Sequence, residues 1–260
     1  MKTRLYIVEG LPCSGKSTTA KFVAQKTGGL FFDEGSGSHP ADYEFQAYIS
    51  DSELLNFSAD EQDILKKSSL PHNGGLITQL SALSGKLFEK ALKYKIYDFL
   101  DWNTERQLML DKWKSFAESA DKDSVYVFNC VLLQNPMCET MMRFNFVSIV
   151  SFEHINSICD AIKPLSPTVI YLENNDIAQS VKSAVKERGD EWINAVIDYH
   201  CNGAYGKANG LSGFDGYIKA LEERQARELK ILKKLPLNYT VIHDPQNNWE
   251  KAYSEIEKVL

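Results

Sequence analysis

Nine residues near the start of the chain, "GLPCSGKST" from Gly10 to Thr18, restrict its fold more than anything else in the sequence. They meet the pattern GxxxxGK[ST] with Gly10, Gly15, Lys16 and Ser17. In front lies "RLYIVE", an apolar, β-prone run of strand length. Behind lies "STTAKFVAQKTGG", where Ala20, Val23 and Ala24 keep helical spacing and Gly28–Gly29 supply a stop. Strand, glycine-rich loop and helix, in that order, form the cradle that backbone amides make for a phosphate. The amides of Gly10, Cys13, Ser14 and Gly15 can turn into one concavity, and the helix start adds unpaired N–H groups and the positive dipole end. Lys16 is placed to reach the β- and γ-phosphates, Ser17 to ligate Mg²⁺, and Thr18 to meet the α-phosphate. The Cys13 side chain reads as incidental. Glu9 reads as a carboxylate fixed by neighbouring backbone or cations, with a direct catalytic role as the alternative.

The remaining periodicities predict an α/β fold. "GLFFDEG" gives a short strand over 29–32 that ends in Asp33 and Glu34. Further strands are expected over 124–133, 167–176 and 238–244, with helices over 151–163, 176–188, 190–200, 214–235 and 249–260. Strands alternating with helices argue for parallel βαβ units. With the first strand this makes five, in a three-layer, doubly wound parallel sheet. The block 46–121 reads as mostly helical, broken near "SSLPHNGG", and is expected to be a helical insertion within one domain covering 1–260. A lid and glycine-rich region is expected over 182–216.

Composition removes several function classes. Of 260 residues, 29 are Lys or Arg and 35 Asp or Glu, a formal net charge of −6, so general nucleic-acid binding is disfavoured. No apolar run approaches the roughly 18 residues of a membrane helix, and a cytoplasmic location is the default expectation. Five scattered cysteines, none in a CxxC pair, indicate neither a disulfide framework nor a zinc site. The five histidines show no metal-ligand spacing.

Three segments together carry a family resemblance: "IVEGLPCSGKST", "PTVIYLENNDIAQSVKSAVKERG" and "YIKALEERQARELKILKKLPLNYTVIHDPQNNWEKAYSEIEKVL". They resemble P-loop kinases of small molecules, thymidylate kinase-like and nucleoside or nucleoside-monophosphate kinase-like enzymes above all. The resemblance implies the kinase-type P-loop fold and Mg²⁺-dependent transfer of the γ-phosphate of ATP or GTP to a small-molecule acceptor. It also implies a basic lid and a passage for the donor base near Asp244 and Gln246. The sequence departs from that pattern in "VYVFNCVLLQNP", where Asn129 and Cys130 stand in place of an acid or an Asp-Arg pair.

With no carboxylate on that strand, Glu34 becomes the candidate general base or acceptor contact, and Asp33 the candidate partner of Mg²⁺ water. Two solvated turn residues are the alternative. In the lid segment, Arg188 ends a helix beside a glycine hinge and carries the planar fork suited to phosphate. Lys182 and Lys186 read either as donor contacts or as a wet helix face. "CNGAYGKANGLSGFDG", with five glycines, reads as a mobile or ligand-hugging loop, or else a long connector. Gln134 and Asn135 either contact a polar acceptor or cap a helix starting at Pro136. The kinase reading predicts an acceptor pocket formed by Glu34 and the insertion. A plain nucleotide hydrolase and a nucleotide-gated protein-binding module are the alternatives, and an oligomer is possible.

Overall fold

The computed structural model describes residues 2–260, and the chain divides into two compact units: Met1–Ala41 with Leu110–Leu260, and Asp42–Met109. The first unit is built on five parallel strands, β1 (Leu5–Gly10), β2 (Leu30–Phe32), β6 (Tyr126–Asn129), β7 (Thr168–Glu173) and β8 (Asn238–His243), in the order β2-β6-β1-β7-β8. Side chains alternate along β1, so Leu5 and Ile7 enter one core while Tyr6 and Val8 enter the other. The helices Ser148–Ile162 and Gly213–Leu232 supply Ile155, Ile158, Ala220 and Ile231 to the first core. The helices Lys16–Thr27 and Trp249–Glu257 supply Ala20, Val23, Ala252 and Ile256 to the second. Both sheet faces are thereby covered, which is why every residue of β1 is buried. The three-layer, five-stranded parallel sheet is the one expected.

This strand order marks the edge of the sheet where ligands gather in folds of this kind. The chain leaves β1 for β2 on one side, and β7 later pairs on its other side, so the carboxyl end of β1 is the topological switch point. The loop 10–15 and the start of the helix Lys16–Thr27 stand there.

Three expectations need correction. The insertion is not helical throughout: beside helices such as Ala59–Ser68 and Gly85–Leu92, the second unit holds a three-stranded antiparallel sheet, β3 (Gln46–Ser50), β4 (Ser69–His72) and β5 (Gly75–Gln79), ordered β3-β5-β4. Its core comes from Ile49, Leu65, Leu76 and Leu80. The strands are short and one contains Pro71, which weakens a strand pattern. The usable signal was "NG": Asn73 and Gly74, both at positive φ, make the two-residue hairpin turn that joins β4 to β5. The unit also begins and ends earlier than 46–121, at Asp42 and Met109.

The strand expected over 124–133 stops at Asn129, because Cys130 and Val131 turn the backbone to φ 55° and 74°. The glycine-rich stretch is largely helical, as Ala204–Ala208 and the first turns of Gly213–Leu232. Gly206 explains why. A Cβ there would lie 2.2 Å from the Cys201 carbonyl oxygen, so glycine lets this short helix close onto the preceding one.

Candidate active site

The loop begins at Gly10, where β1 ends, and passes through Cys13 at φ 67° to Gly15 at φ 93°. Gly15 is the helix N-cap, and its carbonyl accepts the first helical bond from Thr19 at 3.0 Å. Any other residue there is strained, because φ is left-handed and a Cβ would stand 2.3 Å from the Trp249 ring. Lys16 is buried and donates to the Leu11 carbonyl at 3.0 Å, curled over the loop it serves. Ser17 and Thr18 are exposed, and Ser14 Oγ is buried without a partner among the described residues. A cavity of about 770 Å³ opens on this loop, with Lys16, Ser17 and Thr18 at its wall.

The strand lacking an acid performs a different task. Asn129, almost fully buried, donates through Nδ2 to Ser17 Oγ at 2.9 Å and to Asp33 Oδ1 at 2.6 Å. A carboxylate at 129 would repel Asp33, whereas an amide joins it to the loop. Two hard oxygens are thus held beside the glycine-rich loop by one amide group. Among the described residues no group of three or more His, Cys, Asp or Glu forms a metal cluster. The Ser17–Asp33 pair is nevertheless the sparse set that suits Mg²⁺, which completes its shell with phosphate and water.

Glu34 also lines the cavity, accepting from Gln134 Nε2 on one oxygen and from Cys130 Sγ at 3.3 Å on the other. It is an exposed turn residue whose two carboxylate oxygens are both engaged by neighbouring side chains. Gln134 itself lines the cavity and makes no helix cap. Glu9 is fully buried and accepts from the amides of Leu132 and Leu133, both at 2.8 Å. Burial, reinforced by Glu228, pushes its carboxyl up to about 7. It fixes the turn after β6 and does not line the cavity, in line with the backbone-fixed reading.

Arg188 ends the helix Ile177–Arg188 beside Gly189 at φ 84°, lines the cavity, and lies with its guanidinium 5.0 Å over the Trp192 ring. Lys182 does not reach the site. That helix presents Ser180, Ser183, Ala184, Glu187 and Arg188 to the cavity, a stripe at i, i+3, i+4, i+7 and i+8. Lys182 falls off this stripe and stands 5.8 Å over the Phe214 ring. Asp244 lines a second, smaller cavity of about 320 Å³ with Ser14, Asn174 and Gln246. Two hydrogen bonds from Asn175, each 2.7 Å, hold its carboxyl below the usual range. Gln246 lines both cavities, donating to the Cys13 carbonyl and accepting from Ser180 Oγ at 2.9 Å.

Sequence reasoning missed Arg224, which also lines the larger cavity. Arg224, inside the helix Gly213–Leu232, is 1% exposed and pairs through Nε with Glu228 at 2.6 Å. Tyr171 donates to the other Glu228 oxygen at 2.7 Å, and Arg224 Nη1 meets Cys138 Sγ at 3.5 Å. In "EERQARELK" these charges look like a wet helix face, and no local pattern separates Arg224 from its neighbours. Trp192 and Trp249 give the same cavity an aromatic wall.

No family model matches the chain, and no curated protein matches it. Among solved structures it is similar to a deoxyadenosine kinase from M. mycoides with bound dATP, at 15% identity over 98% of both chains and a TM-score of 0.45. It is also similar to the YorR protein from Bacillus subtilis in complex with phosphorylated GDP, at 15% identity, 98% and 95% coverage and a TM-score of 0.44. A thymidylate kinase from Candida albicans gives 10% identity, 98% and 92% coverage and a TM-score of 0.42. With identities and scores this low, the chemistry of the site rests on its own side chains. The first unit is an α/β doubly wound domain of P-loop type, with its glycine-rich loop at the switch point of a five-stranded parallel sheet.

Proposed function

We propose that this protein is a phosphotransferase that moves the γ-phosphoryl group of ATP or GTP to a hydroxyl of a small molecule. One observation carries the reading: an anchored carboxylate, Glu34, lines the same cavity as Lys16, Ser17 and Thr18. Phosphoryl transfer asks for in-line positioning and charge neutralisation, and a hydroxyl acceptor also needs a base within reach. The loop amides and the start of the helix hold the triphosphate, and Lys16 exchanges its bond to the Leu11 carbonyl for phosphate oxygens. Arg188, with a planar fork at a helix end, covers the charge that develops on the moving group. The acceptor oxygen attacks the γ-phosphorus, its proton passes to Glu34, and the bond to the β-phosphate oxygen breaks to release the nucleoside diphosphate. Mg²⁺, held by Ser17 with Asp33 behind it, would supply neutralisation of the phosphate oxygens.

The cavity of about 770 Å³ has the size of a site that encloses a small organic ligand. The test is Lys16→Ala. Wild-type protein at a hundredfold excess of MgATP over Kd is expected to gain about 2.7 kcal/mol of stability, read as a thermal shift, and the variant should lose that gain. An unchanged shift would overturn the reading. A companion screen with γ-labelled nucleotide against alcohols should yield a labelled product rather than inorganic phosphate alone.

A further inference from the structure

The turn that follows β6 is held in a conformation its own residues disfavour. Cys130 and Val131 lie at φ 55° and 74°, a left-handed pair without a glycine, and a β-branched residue at positive φ is a strained one. Strain of this kind persists only where the surroundings fix it. Strand β1 does the fixing with two consecutive residues. The Val8 carbonyl accepts from the Cys130 amide at 2.9 Å, and Glu9 Oε1 accepts from the amides of Leu132 and Leu133, both at 2.8 Å. Glu9, Leu132 and Leu133 are all 0% exposed, so neither amide can turn to water if that oxygen is lost. The two ends of this turn meet one carboxylate. Cys130 Sγ donates to one oxygen of Glu34 at 3.3 Å, and Gln134 Nε2 donates to the other. The loop that carries Glu34 places it weakly, since Glu34 is exposed and is followed by Gly35 and Gly37, both at positive φ.

We infer that Glu9 is a positioning residue for the transfer step: by holding the strained turn 130–133, it sets the Cys130 and Gln134 side chains that fix where the Glu34 carboxylate stands. Glu9 does not line the cavity, so it acts only through others: two amides, one turn and two side chains. With no acceptor at Oε1, nothing balances the strain at Val131, and a relaxed turn carries Cys130 and Gln134 off the carboxylate. Misplacing a reacting group by about 1 Å can cost about 10²-fold in rate, so the consequence falls on kcat. A Glu9 that merely supported the fold, or the phosphate loop that begins at the next residue, would leave Glu34 in place. This inference rests on the phosphotransfer reading and adds a residue to its machinery.

The experiment measures transfer from γ-labelled ATP to the best acceptor among uridine, inosine, ribose and glycerol, beside the thermal shift given by MgATP. Glu9→Leu is expected to lower kcat at least about tenfold while the thermal shift stays in place. Glu9→Gln, which keeps an oxygen for the two amides, should recover most of that loss. Gln134→Leu should also lower kcat, and the double variant with Glu9→Leu should be no slower than the slower single one, since both act on one carboxylate. A merely structural Glu9 would give losses that multiply. If Glu9→Leu does not fold, Glu9→Asp takes its place: its oxygen falls one methylene short, draws the turn out of position and lowers kcat in folded protein. A second measurement needs no acceptor. The Gln134 side-chain amide, assigned in proton–nitrogen correlation spectra by its loss in Gln134→Leu, should keep its resonance in Glu9→Gln and move in Glu9→Leu. Wild-type kcat in Glu9→Leu, losses that multiply, a Glu9→Gln variant as slow as Glu9→Leu, or an unmoved Gln134 amide would overturn the inference. So would a lost MgATP shift in Glu9→Leu, which would assign Glu9 to the phosphate loop. Wild-type protein that MgATP stabilises but that phosphorylates none of these alcohols would instead strike the phosphotransfer reading, while a moved Gln134 amide would still support the hold of Glu9 on Glu34.

Discussion

Two residues of the site make opposite demands on their surroundings. Gly15 combines φ 93° with a ring edge 2.3 Å from where a Cβ would sit, so Gly15→Ala meets both backbone strain and collision with Trp249. A loss on the order of 1–3 kcal/mol is expected, read by urea denaturation, together with a weaker MgATP shift. Trp249→Ala should return only the collision part. Wild-type stability in Gly15→Ala would refute the close approach. Glu34 is the reverse case, a side chain whose carboxylate matters and whose shape does not. Glu34→Gln keeps the size and one carbonyl oxygen for Gln134 but cannot take a proton. Transfer should fall by about 10²-fold or more with nucleotide binding intact, and unaltered turnover would make Glu34 a bystander. Lys16 and Ser17 were legible in the sequence because their geometry follows from a local strand-loop-helix. Arg224 was not, because its setting depends on Glu228 one turn on, which Tyr171 also bonds, and on Cys138 from a distant element.

Among the elements, the parallel strands were readable because burial on both faces demands continuous apolar runs, as in "LYIVEG" and "TVIYLE". The small antiparallel sheet of the second unit hid behind short strands and a proline. The glycine-rich stretch misled in another way, since glycine density signals close approach as readily as mobility. Gly206→Ala tests that distinction. A methyl group 2.2 Å from the Cys201 carbonyl must push the helices Asp190–Asn202 and Ala204–Ala208 apart. A loss of about 1–3 kcal/mol is expected, measured by chemical denaturation, and a silent substitution would restore the flexible-loop reading.

For the molecule as a whole, buried ionisable groups set the pH dependence of stability, and they pull in two directions. His39 and His200 are lowered by burial from the ordinary histidine value to about 3 and about 4. The unfolded chain therefore binds more protons below about pH 6.5, and stability rises with pH through that window. Asp42 and Glu9 are raised by burial to about 6 and about 7. There the folded chain binds more protons, and stability falls as pH rises from about 4 to 7. Glu9→Gln removes one falling contribution while retaining an oxygen for the Leu132 and Leu133 amides. The variant should gain on the wild type between pH 5 and 8 by an amount on the order of 3 kcal/mol, read from urea midpoints. A pH-independent difference would show that Glu9 ionises normally. Among the described residues no helix is long and apolar enough to cross a membrane.

The sequence by itself determined the glycine-rich loop, the five parallel strands around it and the acids that end β2, since each follows from a contiguous run whose spacing dictates its backbone. Tertiary structure alone decided that Asn129 joins Ser17 to Asp33, that Lys182 turns away, and that one strained turn joins Glu9 to the side chains on Glu34. Those outcomes depend on which elements the sheet order brings together, and no local pattern encodes that.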